Sequence, residues 1–164
     1  MDFANEDLPV PQEVILSTVE VVNKSSAIYS GSKKGEKYRR ENLGPCLSAA
    51  IGHSIEHISN ADGTELDGTI LHRPANVANG ESVALLLSEI KDEMGMGGSN
   101  PSIQGGLSVH HFWAQRNCTT YRNATYCPTL ILTVAGPWMA VFGAVFINKL
   151  IIEPLNSVHY RRIA

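Results

Sequence analysis

Glu89 and Lys91 close an apolar run, Val83–Lys91 (VALLLSEIK). In an extended strand successive side chains point to opposite faces, so Glu89 and Lys91 share a face while Ile90 stays in the core. A carboxylate and an ammonium at the end of a buried strand are costly to desolvate, which marks them as candidates for chemistry. Upstream, Leu66-Asp67-Gly68-Thr69-Ile70 sets an acidic residue at the start of a second short apolar run. Asp, a gap, then Glu-x-Lys is the pattern of a metal site that cuts phosphodiesters. That reaction needs a hard cation against the scissile phosphate and hydroxide generated beside it. Mg²⁺ takes one or two carboxylates and keeps several waters. Asp67 and Glu89 would supply the carboxylates, and the backbone carbonyl of Ile90 a third oxygen. Lys91 would orient the attacking water or stabilise developing negative charge. Gln104, further along the chain, would touch the water or a phosphate.

These residues must be held by strands and a helix. Leu43, Leu47, Ala50 and Ile51 recur at helical spacing within residues 38–51, with Pro45 either kinking the helix or restarting it. Ser54–Ser59 alternates like a first strand, Gly68–His72 makes a second and Val83–Lys91 a third. A glycine-rich loop, Gly95-Met96-Gly97-Gly98-Ser99, precedes Asn100-Pro101, an N-cap followed by proline at the first helical position. That helix should run to about Gln115, with Ile103, Leu107, His110 and Ala114 as its core stripe. Gln104, Ser108, His111 and Gln115 form its neighbouring polar face. Gly105-Gly106 costs roughly 1 kcal/mol per residue against alanine, so a close backbone approach is expected there. Thr129–Ala135 and Trp138–Ile147 supply the last strands. Residues 14–28 fit strand or helix equally, and residues 1–30 read as an N-terminal extension. Residues 31–164 then form one α/β domain, a central mixed sheet flanked by helices.

At 164 residues the chain can bury roughly 70% of its unfolded surface. Its net charge of −3 and mean hydropathy of −0.05 give no global basic field. The charge is uneven, since Lys33, Lys34, Lys37, Arg39 and Arg40 put five of the 13 basic residues into eight positions. A solvated helix face or a phosphate-contacting patch would explain such a run. The three cysteines lack metal-ligand spacing and fit a reducing compartment better than a disulfide scaffold. The segment at residues 130–147 approaches the length of a membrane span, but Gly136-Pro137 divides it into two strand-like halves. No membrane segment and no secretory leader are expected, and the intracellular reading leaves room for a nuclear one.

Taken together, Asp67, Glu89-x-Lys91 and Gln104 resemble the PD-(D/E)XK restriction-endonuclease-like superfamily, whose αβββαβ core matches the expected element order. The string from Leu87 to Gln104, with Glu89-Ile90-Lys91 ahead of Pro101-Ser102-Ile103-Gln104, and Gly136-Pro137-Trp138 beyond it, resembles the nuclease-like domains of fungal Crinkler-type effector proteins. The resemblance spans about residues 60–150. It implies an endonuclease using Mg²⁺, with Mn²⁺ able to substitute, that cleaves DNA with weak sequence preference. It also implies a glutamate on the first helix, for which Glu41 is preferred to Glu56. A second copy of the chain or neighbouring domains of a larger effector are the further partners it suggests. The competing expectation is a catalytically inactive module of the same fold that binds nucleic acid or a partner protein.

Overall fold

A computed structural model describes residues 9–27, 35–59, 63–74, 82–94 and 100–159, with side chains described as far as residue 155. Helix α1 (Gln12–Ser25) follows Pro11, and helix α2 (Gly35–Ile51) runs through Pro45 without ending there. Strands β1 (Glu56–Ser59), β2 (Glu65–His72) and β3 (Val83–Lys91) come next, then helix α3 (Pro101–Ala114). A 3₁₀ turn at Arg116–Cys118 and the short helix α4 (Thr119–Ala124) lead to β4 (Thr129–Ala135), β5 (Trp138–Phe146) and β6 (Leu150–His159).

The strands lie side by side in chain order in one six-stranded mixed sheet. All neighbours are antiparallel except β3 and β4. A parallel pair needs a crossover connection, and α3 provides it, packing on both strands it joins. Because helices cover both faces of this centre, β3 and β4 read as nearly continuous apolar runs rather than alternating ones. Around α3 the core holds Leu87, Val109, Phe112, Trp113 and Ile131. Around α1 and α2 it holds Val21, Leu43, Leu47, Leu86, Ile90, Leu132 and Val134. Adjacent β3 and β4 residues thus alternate between the two cores, which sends Glu89 toward α3.

One open alternative is decided here, and two expectations differ. The ambiguous residues 14–28 belong largely to helix α1, which packs on α2 and contributes Val21 and Ser25 to the buried interior. A sixth strand, β6, extends the sheet beyond Ile147; Pro154 within it is tolerated because β6 is the sheet edge. Helix α3 is also turned relative to the expected stripe: Gly105, Gly106, Ser108, Val109, Phe112 and Trp113 face inward, while Ile103 and Leu107 are 65% and 54% exposed. Expected caps and contacts do form at its start, where the Asn100 side chain accepts from Ser102 N–H at 2.9 Å. A Cβ on Gly105 would meet Ile131 at 2.6 Å, so the helix sits directly on the sheet there. That close approach, rather than the side-chain hydropathy of Ile103 and Leu107, sets the helix rotation. Among the described residues no helix is long and apolar enough to cross a membrane.

Candidate active site

The site begins where β2 and β3 part. Their ladder runs from His72↔Val83 to Gly68↔Ser88 and goes no further. Two residues beyond Ser88, the Ile90 N–H turns to a side chain and donates to Asp67 Oδ2 at 3.0 Å. The parting opens room between two central strands, and Asp67 fills it as a substitute for a backbone acceptor. Glu89 lies close enough to Asp67 for the Asp67 charge to disfavour ionisation of the Glu89 carboxyl.

Glu89 is only 3% exposed. Gly105 lets α3 approach β3 so closely that its missing Cβ would lie 3.7 Å from Glu89 Cγ. One turn later, Ser108 Oγ donates to Glu89 Oε1 at 2.5 Å. Burial pushes the Glu89 carboxyl up to about 7, with the Asp67 charge adding to the rise and the Ser108 hydrogen bond and Lys91 opposing it. A carboxyl poised there is protonated or charged according to its company. A cation beside it would favour the charged form.

Lys91 ends β3 with Nζ 2.6 Å from Glu36 Oε1, on the first turn of α2. Burial works against the ammonium, but Glu36, Asp67 and Glu89 outweigh it and raise its pKa, so Lys91 stays charged. The start of α2 is fixed by Gly35, where a Cβ would collide with the Asp92 carboxylate at 2.2 Å. Asp92 therefore sits against the positive end of the helix, and Glu36 follows at the position facing Lys91. On the next turn Arg40 Nη1 donates to Asp67 Oδ1. Arg40 and Asp67 also border a groove of about 660 Å³ with Lys37, Glu41, Pro45 and His57.

The structure therefore brings Asp67, Glu89, Ile90 and Lys91 together. Gln104 is half-buried on α3, one turn before Ser108. Glu41 is not with them: its carboxylate is exposed and 3.8 Å from Lys37 on its own helix. Glu56 is at the sheet edge in a two-pronged pair with Arg73, at 3.0 and 2.7 Å. The helix glutamate at the site is Glu36, five residues before the one expected. The basic run also divides. Lys33 and Lys34 lie outside the described residues. Lys37 is exposed, Arg40 is committed to Asp67, and Arg39 is 2% exposed and cannot contact a phosphate. Arg39 instead donates to the carbonyls of Ser25 (2.8 Å), Ala27 (3.1 Å) and Gly136 (3.3 Å), with Nε 3.5 Å from Asp92.

Sequence reasoning missed the roles of Ser108, Glu36 and Arg40. Ser108 was on the polar face of α3, four residues after Gln104, and that spacing was its signal. Glu36 was hidden as the lone acid inside a basic run. No group of three or more His, Cys, Asp or Glu side chains able to hold a metal occurs among the described residues. Two converging carboxylates beside a backbone segment fit a hard cation that keeps most of its waters, and do not fit a tetrahedral zinc centre. No known protein family matches the chain, and no curated protein or solved structure has a significant similarity to it.

Proposed function

We propose that the chain is a divalent-metal-dependent nuclease of the PD-(D/E)XK kind, hydrolysing phosphodiester bonds of DNA. The observation that carries this reading is the parting of β2 and β3, which sets the Asp67 carboxylate on the Ile90 backbone, against Glu89 and beside Lys91. Mg²⁺, or Mn²⁺ in its place, would be held by Asp67, Glu89 and the Ile90 carbonyl, and would supply Lewis acidity and an acidified water. Ser108 fixes one oxygen of Glu89, and the carboxyl lies against Asp67, with which it would share the cation. Glu36 fixes the Lys91 ammonium, whose remaining protons can hold the attacking water or the charge that develops on phosphate. Gln104, one helical turn before Ser108, would make a polar contact to water or phosphate. Residues 33–40, with Arg39 buried, give a nuclear destination no support beyond Lys33, Lys34 and Lys37.

Purified protein should nick supercoiled plasmid in Mg²⁺ or Mn²⁺ and lose at least about a hundredfold of that rate in Lys91→Ala, since removing groups that merely support a metal site already costs 10- to 100-fold. Equal nicking by the two proteins would sink the enzymatic reading. The second reading, a non-catalytic module of the same fold, draws on the Arg40–Asp67 pair, which already satisfies a carboxylate the metal would need. It expects metal-independent nucleic-acid binding that survives Asp67→Asn.

A further inference from the structure

Two of the partners of Asp67 differ in kind. Its Oδ2 accepts from the Ile90 backbone, a fixed part of the sheet, while its Oδ1 is held by the Arg40 guanidinium, the end of a long side chain. The Asp67 side chain is 9% exposed and that of Arg40 26%, so the pair stands at the boundary between the buried site and the groove. Arg40 lines that groove together with Lys37, His57, Glu41 and Glu65. Lys37 and the His57 ring each already face an acid, Lys37 with Glu41 at 3.8 Å and His57 with Glu65 at 3.9 Å. With Asp67 included, the groove holds three carboxylates against two permanent cations, Lys37 and Arg40, which is a poor surface for a polyanion while Arg40 is neutralised.

We infer that Arg40 is an exchangeable counterion: it neutralises Asp67 in the metal-free protein and, when a divalent cation takes Asp67, turns into the groove to contact a substrate phosphate. The inference rests on the metal-dependent reading of the site. A cation binding at Asp67 displaces one positive charge with two, and leaves a guanidinium with five donors and no acceptor partner at the edge of the groove. Phosphate is the ligand whose geometry matches that fork, so metal and substrate would each favour the other's binding through Arg40. This makes Arg40 a substrate-binding residue whose removal should have opposite effects on the two ligands.

The test is calorimetric titration of Mn²⁺ into the full chain, wild type, Arg40→Gln, Arg40→Lys and Arg73→Gln, paired with binding of a short DNA duplex in Ca²⁺. Removing the counterion should tighten Mn²⁺ about tenfold in Arg40→Gln, in line with the effect of an adjacent opposite charge on a carboxylate. The same variant should bind DNA at least about tenfold more weakly despite holding metal better. Arg40→Lys keeps a charge that can still pair with Asp67, so its Mn²⁺ affinity stays near wild type while its DNA affinity falls. Arg73→Gln, whose partner is Glu56 at the sheet edge, controls for net charge and leaves Mn²⁺ affinity unchanged. Unaltered or weaker Mn²⁺ binding in Arg40→Gln overturns the exchange and leaves the nuclease reading standing. Absence of saturable Mn²⁺ binding in the wild type overturns both.

Discussion

Replacing Glu89 by glutamine should abolish activity and, without metal at pH 8, make the protein harder to unfold. The two effects come from one cause. Glu89 is buried beside Asp67, and its carboxyl is pushed from 4.5 in the unfolded chain to about 7 in the folded one. A folded-state value above the unfolded one contributes stability at low pH that is lost as pH rises through about 7. At about 1.4 kcal/mol per unit, ionising Glu89 between pH 4 and pH 8 costs about 3 kcal/mol. Glutamine keeps an acceptor for Ser108 and has no charge to desolvate. Denaturant unfolding in chelator should therefore find Glu89→Gln more stable than wild type by about 1–3 kcal/mol at pH 8, with the gap closing by pH 5. Cleavage should fall at least about a hundredfold. A variant less stable than wild type at pH 8 would mean that the carboxylate is satisfied locally and is not held for a cation.

The second large effect is structural and separates Arg39 from its neighbours. Arg39→Met removes the donor for three backbone carbonyls and strands the half-buried Asp92 carboxylate. Breaking a buried pair by removing one partner costs about 3–5 kcal/mol, or roughly 10 °C of melting temperature for a domain of this size. Lys37→Met, two residues away and exposed, should change stability by less than about 0.5 kcal/mol. Thermal melts of both variants decide the matter. Equal melting of Arg39→Met and wild type would contradict the role of Arg39 in joining α1, α2 and the β4–β5 turn.

Arg39 also illustrates what a sequence can and cannot disclose. The elements were legible because their signals are local: the Asn100-Pro101 helix start, the Gly136-Pro137 turn, and the apolar runs of β3 and β4. The alternation in β3 placed Ile90 in the core and Glu89 opposite it, as the structure has it. Side-chain partners were not legible, because they depend on which elements meet. Five basic residues in eight positions look alike in sequence, yet tertiary packing buries one, ties another to Asp67 and leaves Lys37 exposed. Glu36 and Glu41 are separated by more than one helical turn, and only the crossing of α2 over the end of β3 decides between them. The inner face of α3 was misjudged for a related reason. Hydrophobic periodicity favoured Ile103 and Leu107, whereas two glycines and a serine face the sheet because close approach and the Glu89 hydrogen bond outweigh side-chain transfer energy at that spot.

If Asp67 and Glu89 hold one divalent cation between them, titration of Mn²⁺ followed by electron paramagnetic resonance will detect it. Mn²⁺ bound to the protein loses the sharp six-line signal of the free ion, so the bound fraction is read without any substrate. Binding needs the charged form of Glu89, so affinity should rise as pH passes from 6 to 8 and the protein should release up to one proton per ion bound at the lower pH. One saturable Mn²⁺ per chain is expected, lost in Glu89→Gln and in Asp67→Asn. Saturable binding that persists in both variants, or none in the wild type at pH 8, would contradict it.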